Sequence, residues 1–295
     1  MTNKAIQQLE RRNFFKGAAL SAGAVALLSA GIRPIKVHAQ DQMSAGTVHS
    51  FSTGGITFHT YVSPAQAVHV TSHVVEMENE LILVDATMLP PTAAEVAALA
   101  ASTGKKINTA VISHEHPDHW GAAAAFGDLK FSTLPAIRNK ISKEGDPWVP
   151  PENVLNGPDL ELGMTEIDGI PVEFRHYQNT ESFDMVVTVF PKQKVAIVQD
   201  LVYNGLYAAP GIDRANWIAT LEALREDVSF DTLLVGHGLP TSRGDLDHMI
   251  AYVKTMHEII EKATTPDEAV ENMKKAYPSQ SGEFLLSLIA EYWSK

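Results

Sequence analysis

Cysteine is absent from the 295-residue chain. Disulfide bonds, thiolate metal ligands and cysteine nucleophiles are therefore excluded. Any metal ion must be held by imidazole and carboxylate groups, and the chain has 12 histidines and 35 acidic residues to supply them.

Positive charge is also scarce, with 23 lysines and arginines and a net charge of −12. Six of these basic residues, and only one acid, lie before residue 40. Such an acidic surface repels phosphate backbones, so we expect no nucleic-acid partner. The hydrophobic fraction of 45% is ordinary for a globular protein, and the length is sufficient for a sizeable core.

The N-terminal segment carries the pattern of an export signal. A basic stretch, Arg11-Arg12-Asn13-Phe14-Phe15-Lys16, precedes an uncharged run over 17–32 and the small-residue pattern Val37-His38-Ala39. Paired arginines before two aromatic residues resemble a twin-arginine (Tat) signal. We therefore expect the Tat machinery to export the protein, cleavage near Ala39, a mature domain over 40–295 and a periplasmic location. A membrane anchor is the alternative, but a run of about 16 residues is short for a membrane span.

Hydrophobic periodicity predicts a mixture of strands and helices after this segment. Strands are predicted at 68–76, 81–84, 107–113, 172–175, 184–190, 195–199 and 232–235. Helices are predicted at 91–101, 119–126, 214–226, 245–262, 266–277 and 283–293. This order indicates a layered α/β protein. The apolar side chains of the C-terminal helices belong either to the core or to the surface of a homodimer.

The strongest local pattern is His114-Glu115-His116-Pro117-Asp118-His119, directly after the strand predicted at 107–113. An extended segment places His114 and His116 on one side, while Asp118 and His119 follow the turn and can face a second ion. Imidazole and carboxylate together suit zinc and similar divalent ions. A solvated histidine-rich loop is the alternative interpretation.

The pattern His-x-His-x-Asp-His after a strand resembles the metallo-β-lactamase superfamily. The resemblance covers about residues 65–240 and implies a four-layer αββα sandwich with two zinc ions at one edge. It also implies three later ligands, and the matching residues are His176, Asp200 at the end of a strand, and His237 between two glycines. The segment after His176 is longer than the short turn common in the family, and it lacks glycine.

The ligand assignments follow from the resemblance. The first zinc is assigned to His114, His116 and His176, and the second to Asp118, His119 and His237, with Asp200 between the two ions. Asp85, at the end of an early strand, matches an acidic residue of the family that either supports the ligands or has a structural role.

The expected chemistry is hydrolysis of a small molecule by a hydroxide held between the two ions, with Asp118 as the proton carrier. Tyr203 lies three residues after Asp200, where quorum-quenching lactonases of this superfamily have a tyrosine that binds the substrate carbonyl. A core tyrosine is the alternative.

The preferred substrate class is a carboxylic ester or lactone. The alternatives are a β-lactamase, against which Asp200 counts because β-lactamases of this fold generally lack that residue, and a thioesterase, against which export counts. A non-catalytic metal-binding accessory protein is a further alternative.

Overall fold

A computed structural model describes residues 43–144, 155–291 and 293. The expected export signal lies outside the described residues, so export and a periplasmic location remain predictions. The chain divides into two units, Met1–Ala45 and Gly46–Lys295, and the features described below belong to the second.

The first sheet of the described chain has five strands in sequence order. Strands β1 to β4 pair antiparallel, and β5 pairs parallel to β4. Their bounds are Thr47–Thr53 (β1), Ile56–Val62 (β2), Thr71–Glu76 (β3), Glu80–Val84 (β4) and Lys106–Val111 (β5). The parallel pair places the ends of β4 and β5 at the same edge of the sheet.

The second sheet has six strands, again in sequence order from β6 to β11. All neighbours are antiparallel except β9 and β10, which are parallel. The strands are Gly163–Ile167 (β6), Ile170–Gln178 (β7), Asp184–Phe190 (β8), Val195–Asn204 (β9), Thr232–Gly238 (β10) and Thr241–Ser242 (β11). A bridge between Val70 and His237 joins the two sheets at one edge.

The α-helices of the described residues begin with Pro90–Ser102 (α1), Pro117–Trp120 (α2) and Pro135–Glu144 (α3), and continue with Arg214–Glu226 (α4), Leu246–Lys262 (α5), Pro266–Ala276 (α6) and Glu283–Ser287 (α7). Side-chain caps begin two of the longer ones: Asp213 accepts from the N–H of Asn216, and Thr265 accepts from that of Glu268. None of the described helices is both long and apolar enough to cross a membrane.

The hydrophobic core has two parts, separated by the second sheet. Along β9, Val195 and Ile197 pack toward the first sheet, whereas Ala196 and Val198 pack toward α4 and α5. This alternation is what a strand buried on both faces requires. The large side chain of Trp217 on α4 is fully buried on the helical side. The result is an αββα arrangement with its layers held by apolar contact.

The α/β class and the two-sheet sandwich confirm the expectation from the sequence. Strands β1, β2, β6 and β11 and helix α3 were not predicted. The helix expected at 119–126 is interrupted at Gly121, between α2 and a 3-10 turn at Ala123–Phe126. Apolar residues of the C-terminal helices, including Met249, Met256, Leu285 and Leu286, lie in the core.

Candidate metal centre

The His-x-His-x-Asp-His segment lies just beyond β5, at the edge where the two sheets meet. His116 is extended, with φ −68° and ψ 133°, and Pro117 is the first residue of α2. Proline suits this position because its fixed φ fits a helix start and its missing N–H is not needed there. The helical turn then places the side chains of Asp118 and His119 beside those of His114 and His116.

Three groups of potential ligands form at this edge among the described residues, and one of them, Asp85 with His114 and His119, overlaps the other two. His114, His116, Glu181 and Asp200 form the first group, and Asp118, His119 and His237 form the second. Asp200 also contacts the second group, since its Oδ1 lies 3.1 Å from Nε2 of His119 and its Oδ2 lies 3.4 Å from Nε2 of His237. Each of these two groups therefore has two imidazoles and one carboxylate of its own, with Asp200 shared between them.

The ring protons of three histidines are turned away from this centre. Nδ1 of His119 donates to Asp85, and Nδ1 of His237 donates to the carbonyl of Val68, each across 2.8 Å. Nδ1 of His114 donates to Oγ of Ser113, since that hydroxyl gives its own proton to Asp85. In a neutral ring, the Nε2 atom of each of these histidines then carries only a lone pair.

The lone pairs of these nitrogen atoms lie close to buried carboxylate oxygens, which are also acceptors. The Nε2 atoms of His114, His119 and His237, with Oδ1 of Asp200 and Oε2 of Glu181, are buried without a hydrogen-bond partner among the described residues. Unpaired buried polar atoms are costly and uncommon. Acceptor atoms only 3–4 Å apart repel one another unless a proton or a cation lies between them. The donor set and its geometry therefore fit divalent metal ions.

The electrostatic field of the carboxylates favours cations as well. Burial opposes a charge on His116, but the negative charges of Glu181 and Asp200 raise its pKa to about 10 in the metal-free protein. Burial also opposes a positive charge on His237, but the negative charge of Asp200 outweighs burial and raises the pKa of His237 to about 10. Metal ions and protons compete for these imidazoles.

His176, expected as the third ligand of the first ion, is not part of either group. It lies within β7, opposite Val186 of β8, and its Nε2 is 2.8 Å from Oδ1 of Asp184. The strand was expected to end at Arg175, which would have placed His176 at the sheet edge. Because β7 continues to Gln178, the edge position belongs to the turn that follows.

That turn carries Glu181, a residue that was not predicted from the sequence. Its carboxylate is buried, and Oε2 lies 3.5 Å from Nδ1 of His116. The backbone N–H of Phe183 donates to Oε1 of Glu115 across 2.8 Å, which fastens the turn to the His-x-His segment. A carboxylate in a turn directly after a strand was the available signal, since carboxylates also bind zinc.

Tyr203, expected to face substrate, directs its hydroxyl toward the ligands. The phenol donates to Oδ2 of Asp200 across 2.7 Å and lies 3.1 Å from Oε1 of Glu181. Its ring is stacked on His237, with the centroids 5.0 Å apart. Burial and the charges of Asp200 and Glu181 raise the pKa of Tyr203 well above its usual value, so the phenol remains a donor.

The family assignment rests on a model of the metallo-β-lactamase superfamily, which matches residues 65–237. The chain belongs to this superfamily. It is therefore a metal-dependent hydrolase, and the edge of the sandwich described above is its candidate metal centre. No curated protein sequence matches the chain.

Solved structures of β-lactamases share the fold. A metallo-β-lactamase from Pontibacter korlensis is 16% identical, with a TM-score of 0.58 over 70% of this chain and 99% of that one. FIM-1 from Pseudomonas aeruginosa, in a mono-zinc form, is 20% identical, with a TM-score of 0.55 over 72% and 96%. An enzyme from Erythrobacter litoralis is 16% identical, with a TM-score of 0.56 over 72% and 98%. At these identities the similarity concerns the fold.

Proposed function

We propose that this protein is a two-zinc hydrolase that cleaves a carboxylic ester or a lactone. The position of Asp200 carries the proposal. Besides its contacts with His119 and His237, its Oδ2 lies 3.6 Å from Nε2 of His114 and 4.0 Å from Nδ1 of His116. A single buried carboxylate thus faces all four imidazoles, as expected for a ligand shared by two ions.

Zinc suits this donor set because imidazole nitrogen and carboxylate oxygen are its usual ligands in the absence of cysteine. A relative of the same fold, FIM-1, is described in a mono-zinc form. The ions would be held by His114, His116, Glu181 and Asp200 on one side and by Asp118, His119, His237 and Asp200 on the other. Bound zinc supplies Lewis acidity and makes water a stronger acid.

Access to the centre is from the side of His116 and Asp118. Their side chains are 19% and 17% exposed, whereas the other five proposed ligands are 2% exposed or less. Burial opposes ionisation of Asp118, but His119 and His237 hold its pKa below the usual range. Asp118 is therefore an ionised carboxylate at the open side, where it can accept a proton from water and return it to a leaving group.

The charge of the centre favours a neutral substrate. Three carboxylates, from Asp118, Asp200 and Glu181, offset most of the charge of two divalent ions. The remaining attraction for an anion is small, and penicillins, cephalosporins and phosphodiesters are anionic. A lactone or simple ester has a polarisable carbonyl without a negative charge.

A substrate comparison tests this proposal. Zinc-loaded protein should hydrolyse lactones or simple esters faster than penicillins, cephalosporins, carbapenems, thioesters or phosphodiesters, measured as kcat/KM under one set of conditions. Efficient cleavage of β-lactams with inert lactones would replace the substrate class. A zinc-loaded protein that cleaves none of these would instead support the accessory-protein alternative.

The role of Asp118 can be tested separately. Asp118→Asn keeps the size of the side chain and one oxygen but removes the proton acceptor, so we expect hydrolysis to fall by about 10²-fold or more. Zinc content is measured on the same samples, because the variant also weakens one ligand. Near-normal turnover would show that Asp118 does not transfer the proton.

A further inference from the structure

A row of buried polar side chains crosses the space between the two sheets beneath the metal centre. His73 of β3, Gln199 of β9 and Asp85 after β4 are fully buried. Nε2 of His73 lies 2.9 Å from Oε1 of Gln199, and the Gln199 amide nitrogen donates to Oδ2 of Asp85. Polar groups in such a core destabilise the fold unless they are fully paired, so the arrangement needs an explanation.

The contacts of His73 determine where its proton lies. The hydroxyl of Thr71 donates to the carbonyl of Val235 across 2.6 Å, so it can only accept from Nε2 of His73, 3.1 Å away. Nδ1 of His73 then accepts from the hydroxyl of Thr60, also across 3.1 Å. Burial lowers the pKa of His73 to about 4, so the ring is neutral at pH 7 with its single proton on Nε2.

This proton fixes the orientation of the Gln199 amide. Oε1 accepts from His73, and therefore the NH₂ group faces the carboxylate of Asp85. The flipped amide would set its oxygen against Asp85 and its NH₂ against the N–H of His73. Both contacts of the flipped amide are repulsive, so a neutral His73 with its proton on Nε2 permits only one orientation.

The Asp85 carboxylate, held by the Gln199 amide, orients the rings of two proposed metal ligands. Its Oδ2 accepts from Nδ1 of His119 across 2.8 Å and from Oγ of Ser113 across 2.7 Å. The Ser113 hydroxyl in turn accepts from Nδ1 of His114 across 2.8 Å. A carboxylate in this place therefore determines which ring nitrogen of both histidines faces the metal.

We propose that His73 and Gln199 are positioning residues of the metal centre. By fixing the Asp85 carboxylate from the opposite sheet, they keep Nε2 of His114 and His119 directed at the ions. This inference rests on the proposed metal function. Partners of this kind, one shell outside the ligands, commonly change metal affinity by about 10- to 100-fold.

The backbone around Gln199 supports the proposal. Gln199 has φ +45°, a left-handed backbone conformation that residues other than glycine rarely adopt. The register between β9 and β10 shifts at the same place, where Leu234 pairs with Ile197 but Val235 pairs with Gln199. Such irregularities change the direction of a side chain within a strand. Here they allow Gln199 to reach Asp85 while its neighbour Asp200 faces the ions.

The first test compares two buried glutamines with the same substitution. Gln199→Met keeps the approximate shape but removes the amide, and we expect zinc affinity to fall about 10-fold or more. Gln193→Met is the matched control, since the Gln193 amide nitrogen donates only to the Gly54 carbonyl, across 3.2 Å, among its described contacts. Zinc affinity is measured by competition with a chromogenic chelator. Equal affinities for both variants and the wild type would overturn the proposal.

The second test follows the Nδ1 proton of His119 by NMR with ¹⁵N-labelled histidine. In the wild type, with and without zinc, its bond to Asp85 should slow exchange with water. Exchange should become faster in Gln199→Met but not in Gln193→Met. An unchanged proton in Gln199→Met would also count against the proposal.

His73 provides an independent pair of variants if Gln199→Met does not fold. His73→Leu removes the donor to Gln199, whereas His73→Gln can place an amide N–H near the position of Nε2. We expect zinc affinity to fall in His73→Leu and to recover at least partly in His73→Gln. Equal zinc affinity in both variants would refute the positioning role. A wild type that binds no zinc would be a different result, because it would overturn the proposed function itself.

Discussion

The hydroxyl of Tyr203 lies 2.7 Å from Oδ2 of Asp200, and this hydrogen bond fixes the carboxylate that both ligand groups share. The same hydroxyl is 3.1 Å from Glu181, so one phenol contacts a ligand of each proposed ion. Stacking on His237 holds the ring in place. Tyr203 therefore contacts the proposed ligands in this structure, and the substrate contact expected from the sequence stays a prediction.

Tyr203→Phe should weaken zinc binding. The variant retains the ring that stacks on His237 but loses the hydrogen bond to Asp200 and the contact of the hydroxyl with Glu181, and loss of such an outer-shell contact costs roughly 10- to 100-fold in metal affinity or activity. Chelator competition gives the affinity, and turnover is measured at saturating zinc. Normal affinity with reduced turnover would return Tyr203 to a role beside the substrate.

Gly236 is a position where the metal centre tolerates no side chain. A Cβ atom there would overlap Oδ1 of Asp200 and lie 2.8 Å from the Asp200 backbone nitrogen. Gly236→Ala should therefore displace Asp200, reduce zinc binding and destabilise the fold by about 1–3 kcal/mol, the usual range for overpacking.

Gly244→Ala is a suitable control for this substitution, because its Cβ would meet only Oγ of Ser242 at an ordinary 3.5 Å. Chemical denaturation and zinc titration of both variants provide the comparison. Wild-type zinc affinity in Gly236→Ala would show that Asp200 is not fixed by this close approach.

The local sequence was sufficient to predict that the side chains between His114 and His119 lie together. The segment from His114 to His119 needs only a strand, an extended link and a helix that begins at Pro117. Asp200 and His237, which the family resemblance implied, lie on the parallel neighbours β9 and β10 and contact the same segment.

The remaining part depends on contacts between distant segments. The end of β7 is set by its pairing with β8, which extends as far as Gln178 opposite Asp184. The turn that carries Glu181 is fixed by the contact between Glu115 and Phe183, 68 residues apart. Hydrophobic periodicity contains neither piece of information, so His176 was assigned by the family resemblance and Glu181 was not predicted.

Zinc binding should release protons and strengthen as the pH rises. In the metal-free protein, the carboxylates raise the pKa of His116 and of His237 to about 10, so both rings hold an extra proton at pH 7. Zinc must displace these protons, because it binds the neutral imidazole. Calorimetric titration in buffers of different ionisation enthalpy measures the number released, and zinc uptake without proton release would contradict the expectation.

The raised histidine pKa values also make the stability of the metal-free protein depend on pH. A raised histidine pKa stabilises the folded state fully below the unfolded value near 6.5, and this contribution is lost as the pH rises through about 10. The metal-free protein should therefore lose stability between these values, and zinc should restore it. Thermal unfolding across this pH range, with and without zinc, gives the comparison.

Glu181 and His176 offer a direct choice between the candidate ligand that the structure places in the first group and the ligand expected from the sequence. Glu181→Gln keeps the size of the side chain but removes its charge. Because Glu181 is proposed to bind the first zinc directly, its loss should lower the affinity for that zinc by about 10²-fold or more, which is at least the effect of losing an outer-shell partner. After dialysis, elemental analysis should then show about one zinc per chain instead of two.

His176→Gln should retain both ions, because His176 contacts Asp184 and neither ligand group. The second ion serves as an internal reference, since Asp118, His119 and His237 are unchanged in both variants. Loss of one zinc in His176→Gln, with both retained in Glu181→Gln, would restore His176 as the ligand and require the turn at Glu181 to move when metal binds.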